Sequence, residues 1–447
     1  MRRGAAAILV LALLATGCGE GVGEEDTAPG TVPPASTTTT AATVTTPALS
    51  TTQPEPTTTS TTAPAWAGPG FPEALAPEVI PWDQVGPGWL LVRFRETSGE
   101  VASTPAREAL FLIDPANVTY AVVGWDGREI LDWSPEGRRV LVFDGTLKVI
   151  GLLDGVESAV PAVVPVGWRI DARFVPPAGE DIVVRAIAPD EHARLERVGA
   201  DGTLRATLAD FDFPAYAYGD PEYVEMGITW LYGPDGTELV VATGEGISLR
   251  DERGVVVRSL DTPGLGCTLS RWWAEGSVLA ACYDRDWAAS ACWYRGPIPD
   301  GRSLWAVPID GSAAVRLTPA PVCTAEAPEF SAAYQDGLPV GAGVAAEAGG
   351  CCECGGSLEL VAGDAVVPWA GYPESPACSP RLIATRGDRV LVLDTVFGWE
   401  AGQGTTGMLG AILEVAGDGA TLGAITAVEP GRYGGVQQVL TTEETGR

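Results

Sequence analysis

Histidine is almost missing from this chain: His192 is the only one in 447 residues. One imidazole gives little material for a Ser-His-Asp triad and none for a multi-histidine metal centre, and no G-x-S-x-G elbow accompanies it. It lies in Pro189-Asp190-Glu191-His192-Ala193-Arg194, which reads as a solvated polar connector, with Glu191 to Val198 as a candidate short helix. Basic residues are also scarce, 28 against 58 acidic, for a net charge of −30. That balance repels phosphate backbones and anionic headgroups, so nucleic acid is excluded as an expected partner. No stretch approaches the ~18 consecutive apolar residues of a transmembrane helix. Phosphate-cradling glycine loops of the G-x-x-x-x-G-K-[ST] type are missing despite 56 glycines. No cofactor and no metal centre is expected.

What is present begins at the N-terminus. Met1-Arg2-Arg3 is basic, Ala5 to Ala15 is apolar and uncharged, and the stretch ends in Leu14-Ala15-Thr16-Gly17-Cys18. These are the regions of a secretory signal, too short to span a bilayer. The final five residues resemble the lipobox of bacterial lipoproteins, with Ala15 where that family usually carries Leu. The resemblance implies cleavage before Cys18, lipid on Cys18, and an extracytoplasmic protein held at the cell membrane by that lipid. Cleavage would remove two arginines and no acid, which deepens the acidic imbalance. Residues 1–17 are therefore read as signal peptide.

Nine cysteines minus Cys18 leave eight, an even set suited to disulfides in an oxidising compartment: Cys267, Cys282, Cys292, Cys323, Cys351, Cys352, Cys354 and Cys378. A turn centred between Ala274 and Glu275 would set Cys267 opposite Cys282. Cys292 with Cys323 is a second candidate pair, and two bonds among the last four have no assignable order. A thiolate zinc site on Cys351, Cys352, Cys354 and Cys378 is the alternative, disfavoured because paired C-x-x-C spacing is lacking.

Residues 26–65 hold 16 Thr and 7 Pro, with only Asp26 and Glu55 charged. Such a segment cannot bury enough apolar surface to fold, and proline keeps it extended at roughly 3 Å per residue. Residues 18–65 thus read as a lipidated N-terminus and a disordered Thr/Pro-rich linker, a stalk that could carry O-linked sugars. Asn117-Val118-Thr119 fits the N-glycosylation pattern, which has no force in a bacterial lipoprotein.

From residue 66 to 447 the pattern changes to short apolar runs separated by Asp-Gly, Pro-Glu-Gly and Gly-Asp turns, which are strand and hairpin signals. One hairpin recurs seven times at intervals of about 40 to 58 residues. Its first strands begin at Leu110, Leu147, Leu195, Ile247, Leu304, Leu358 and Ile412. A second element, a turn followed by an apolar strand, precedes most copies. It is clearest in Trp133-Ser-Pro-Glu-Gly137 to Phe143, Tyr232-Gly-Pro-Asp-Gly236 to Val241, and Trp272-Trp-Ala-Glu-Gly276 to Ala280. Looser versions start at Phe174, Gly88 and Arg386, and Asp336-Gly337 would have to supply the sixth. These elements resemble the Trp-Ser-Pro-Asp-Gly repeat of the TolB-like and WD40-like β-propellers. The resemblance implies an all-β, seven-bladed β-propeller over residues 66–447, with Gly435 to Leu440 as the strand that closes the ring. Tandem β-sandwiches are the alternative.

Most of the fourteen tryptophans are assigned to the core, because Trp133 and Trp272 share a repeat position with Tyr232. Trp287, Trp293 and Trp399 are candidates for an exposed face. The acidic groups Asp220 to Glu225 and Asp284 to Asp286 match no calcium loop. The expected function is a lipid-anchored, non-catalytic binding or scaffold protein at the cell surface, with a protein or cell-wall glycan as partner. The alternatives are a glycan-active or peptide-active enzyme using Asp/Glu, or a cell-wall carbohydrate-binding module.

Overall fold

The computed structural model describes residues 71–97, 107–161, 168–189, 192–212, 229–274, 276–283, 302–320, 333–349, 357–363, 365–369, 380–397, 408–417, 421–426 and 433–442. Among the described residues, twenty-eight strands form seven antiparallel four-stranded sheets. Blade 2 comprises β4 (Glu129–Trp133), β5 (Arg139–Phe143), β6 (Leu147–Gly151) and β7 (Glu157–Ala159). Blade 3 comprises β8 (Arg169–Phe174), β9 (Asp181–Ile187), β10 (His192–Gly199) and β11 (Leu204–Asp212). Blade 4 runs through β12 (Thr229–Tyr232), β13 (Leu239–Thr243), β14 (Gly246–Arg250) and β15 (Val256–Ser259). Blade 5 runs through β16 (Leu265–Ala274), β17 (Ser277–Tyr283), β18 (Arg302–Pro308) and β19 (Val315–Arg316). Blade 6 holds β20 (Ala333–Val340), β21 (Gly343–Gly349), β22 (Ser357–Ala362) and β23 (Ala365–Pro368). Blade 7 holds β24 (Arg381–Arg386), β25 (Arg389–Phe397), β26 (Met408–Ala416) and β27 (Thr421–Ala424).

Blade 1 joins both ends of the ring. Its strands β1 (Leu90–Thr97), β2 (Arg107–Ile113) and β3 (Thr119–Trp125) take the C-terminal β28 (Tyr433–Thr441) as their inner neighbour, in the order β28-β1-β2-β3. The protein is a seven-bladed β-propeller closed by its own last strand, and tandem sandwiches are excluded.

The physical reason for seven sheets in a ring is legible in the second strand of each blade. Successive side chains of a strand point to opposite faces. In β5, Val140 and Val142 pack toward blade 1 while Leu141 packs toward blade 3. In β13, Leu239 and Val241 face blade 3, while Val240 and Ala242 face blade 5. Apolar on both faces, such a strand is stable only between two other sheets. Seven hydrophobic clusters result, one at each interface between neighbouring blades. The outermost strands β7, β15 and β23 are exposed along their length.

The segment ahead of β1 straps blade 1 from outside. Phe71 packs with Phe94 and Phe111 on the blade 7 side. Leu75 then bridges the free edge of β3 in parallel, its N–H donating to Thr119 O at 2.8 Å and its carbonyl accepting from Ala121 N at 2.9 Å. Ile80, Val85 and Trp89 finish in the core between blades 1 and 2, with Trp89 stacked on Tyr120 at 5.7 Å.

All seven recurring hairpins of the sequence are the third and fourth strands of the blades. Three details differ from expectation. His192 to Gly199 form strand β10 and not a helix: Ala193 and Leu195 face the blade 3–blade 4 core, and Val198, beyond a register shift, faces the blade 2–blade 3 core. Period two, not 3.6, governs that stretch, and His192 Nε2 lies 3.0 Å from Asp210 Oδ1 on β11. Asp336-Gly337 is no turn: it sits inside β20, and the reversal comes after Val340, which pairs with Gly343. The β16–β17 turn lies one residue beyond the expected centre, since Ala274 pairs with Ser277. Register shifts along β16 absorb that residue and still set buried Cys267 against Cys282. Their sulfurs stand at disulfide-bonding distance, 2.10 Å, with Cα atoms 4.1 Å apart.

Candidate functional site

Five of the seven inner strands carry an extra residue at the same level: Gln437 in β28, Leu131 in β4, Ser270 in β16, Gln335 in β20 and Ile383 in β24. A bulge re-aims the side chain that follows it. The residues after these bulges are Gln438, Asp132, Arg271, Asp336 and Ala384, and Arg173 occupies the corresponding place in β8, one residue before the repeat aromatic. Polar groups are thereby gathered along the central channel.

Most of them reach across to the next blade. Gln438 Nε2 donates to Ile130 O at 2.7 Å, joining blade 1 to blade 2. Asp132 Oδ2 accepts from Phe174 N at 2.8 Å, joining blade 2 to blade 3. Arg173 lies over the Trp230 ring at 4.8 Å and its Nη1 is 3.5 Å from Trp230 O. Thr229 Oγ1 accepts from Leu269 N at 2.7 Å. Arg271 makes a two-point ion pair with Asp336 and also donates to Leu382 O at 3.3 Å and Ile383 O at 3.4 Å. Glu347 Oε1 accepts from Leu382 N. Side chains of blades 1 to 6 thus reach the following blade, some as donors and some as acceptors, and Arg271 of blade 5 reaches blade 7 as well.

Between these contacts a cavity of about 290 Å³ opens, walled by the inner strands β28, β4, β8 and β24. Its floor and sides mix Leu131, Leu382 and Ile383 with Asp132, Arg173 and Arg381. Asp132 faces the channel on one side and is enclosed by protein on all others. Burial pushes its carboxyl up to about 7, against the opposing pull of the Phe174 N–H and the Arg173 guanidinium. Among the described residues, Asp132 is the only acid on the cavity wall. A glycosidase-type pair of carboxylates facing each other across a cleft is not found there.

Every strand pair is antiparallel, so the first-to-second and third-to-fourth connections fall on one rim of the ring and the remaining connections on the other. Cys292, Cys323, Cys351, Cys352, Cys354 and Cys378 lie outside the described residues. So do Asp220 to Glu225, Asp284 to Asp286, Trp287, Trp293 and Trp399, while Cys18 and the stalk precede the described part of the chain. Trp133 and Tyr232 are buried in inter-blade cores, and Trp272 packs half-buried with its Nε1 donating to Tyr232 O. The channel residues were not singled out by composition. Their signal is positional: Asp132, Arg173 and Arg271 each stand immediately before the aromatic that opens the repeat turn.

No protein-family model matches this chain, and no curated protein sequence does. Solved structures similar to it are found. It is similar to the putative TolB of Agrobacterium tumefaciens, at 14% identity over 62% of this chain and 87% of that one, TM-score 0.36. It is similar to the periplasmic gluconolactonase of Pseudomonas aeruginosa, at 13% identity over 78% and 98% of the two chains, TM-score 0.44. A prolyl endopeptidase gives 13% identity over 79% of this chain and 49% of its own, TM-score 0.48. These likenesses are of fold alone.

Proposed function

We propose that this protein is an exported binding module, lipidated on Cys18 and held off the cell membrane by the Thr/Pro-rich stalk, which receives its ligand at the propeller channel without catalysing a reaction. The carrying observation is what the channel acids do. Asp336 and Glu347 each accept hydrogen bonds that join one blade to another, and Asp132 stands as a lone acid on the cavity wall. A carboxylate tied between blades is poorly placed to attack a substrate, and one acid without a partner lacks the second group of an acid-base pair. The partner is a protein or a cell-wall glycan component, met outside the cytoplasm.

The test is proximity labelling on intact cells with the enzyme fused after Arg447, beside a Cys18→Ala chain. The native chain should fractionate with membranes and enrich a defined set of surface molecules, and Cys18→Ala should be released. Retention of Cys18→Ala in the membrane would refute the anchor. Equal labelling patterns for the anchored chain and an unrelated lipoprotein would refute the binding role.

A further inference from the structure

We infer that the channel cavity is a site for a small organic carboxylate, held by Arg381 against an apolar wall; this rests on the binding role proposed above and gives it a ligand class. The argument starts from charge. Acids outnumber bases about two to one in this chain, and its arginines are accordingly well supplied with partners: Arg93 with Glu108, Arg128 with Asp126 and Glu157, Arg197 with Asp181, Arg271 with Asp336. Arg381 departs from that pattern. It lines the cavity at the start of β24, is exposed, and makes no ion pair or hydrogen bond among the described residues. The wall around it carries a second guanidinium, Arg173, and a single acid, Asp132. In a strongly acidic molecule this cavity wall therefore carries two cations against one acid, and a cleft of one sign concentrates ions of the other.

The geometry selects among anions. A guanidinium presents a planar fork that matches a carboxylate with two parallel hydrogen bonds. Beside Arg381 stands Ile383, and the carbonyls of Leu382 and Ile383 accept hydrogen bonds from Arg271 of blade 5, so this wall is fixed before any ligand arrives. Leu131 continues the apolar surface from blade 2. A bare ion would leave that surface wet. A carboxylate on a compact apolar body covers it, and about 290 Å³ is at the small end of ligand sites. Either the C-terminus of a short peptide or a sugar acid offers this chemistry, and the apolar wall favours the peptide.

The test uses the full-length chain in detergent and isothermal titration with two matched pairs: N-acetyl-trialanine against its C-terminal amide, and glucuronate against glucose. At least one acid should bind ten-fold or more tightly than its neutral twin, and which pair responds identifies the source. Arg381→Gln should remove that preference while leaving the melting temperature unchanged, since this exposed side chain holds nothing in the fold. Acid and neutral twin binding alike, or a preference that survives Arg381→Gln, would overturn the carboxylate inference and leave the binding role standing. No heat with any of the four probes would overturn this inference and count against the channel as the binding site.

Discussion

Arg271 of β16 and Asp336 of β20 face each other across the channel wall of blades 5 and 6, with Nε and Oδ1 2.9 Å apart and a second contact between Nη2 and Oδ2. Both side chains are almost fully buried, 6% and 3% exposed. Removing one partner from such a pair leaves a buried charge without compensation, whereas replacing both with apolar groups of similar volume is often tolerated. Asp336→Ala should cost about 3–5 kcal/mol, and the double variant Arg271→Met with Asp336→Leu should recover most of it. Urea denaturation of the three chains measures this, and a double variant no better than the single one would contradict it.

Asp132 gives a pH dependence of definite sign. Its proton is held more tightly in the folded protein than in the unfolded chain, where a carboxyl titrates near about 4. Stability is therefore lost as pH rises from that value to about 7, and the loss is complete above it. Asp132→Asn keeps an oxygen for the Phe174 N–H and has no proton to lose. It should melt higher than the native chain at pH 8 and equal to it at pH 4, and thermal melts across that range decide the matter.

Gly236 in the β12–β13 turn has φ +72°, and a Cβ there would collide with the carbonyl oxygen of Pro176 in blade 3. Gly236→Ala must shift the blade 3–blade 4 contact as well as strain the backbone, for a loss of about 2 kcal/mol or more. Gly276, also at positive φ but with open space around it, serves as the comparison. Gly276→Ala should cost less, and equal melting temperatures for the two variants would show that the close approach contributes nothing.

Eight cysteines outside the lipobox imply four disulfides if all are paired. Intact mass should then rise by about eight units on reduction, and peptide mapping should return Cys267 linked to Cys282. Serine at both of these positions should destabilise the chain by about 3 kcal/mol, the scale for a loop of this length.

How much of this was legible in the sequence depends on whether the signal was periodic or relational. The hairpins beginning at Leu147 or Ile247 declare themselves, because alternation and an Asp-Gly or Arg-Gly turn are local properties. The propeller follows from their repetition. The channel does not, because a bulge such as that at Leu131 or Ile383 is one extra residue with no composition of its own, and it appears only when a strand is laid against its partner. Asp336-Gly337 looked like a turn for the same reason: the dipeptide is right, but its placement within β20 is set by what Asp336 meets on blade 5. The polar neighbours of His192 suggest a loop, whereas Ala193 and Leu195, two residues apart, keep the spacing of a strand, and the bulge before Val198 hides the rest of it. Arg381 carries no motif at all, and it stands out only once its surroundings are known.

The strap of residues 71–89 has a mechanical consequence. Blade 1 holds the chain's last strand on its inside and this first segment on its outside, so both ends of the fold meet in one sheet. Tension arriving from upstream of Phe71 would be taken up by the edge of β3 and by the Phe71 and Trp89 contacts before it reached any ladder of the ring. The other six blades are each built from four consecutive strands and would not be stretched. Blade 1 is thus the seam along which a pulled propeller would part, and the strap is the reinforcement sewn over that seam.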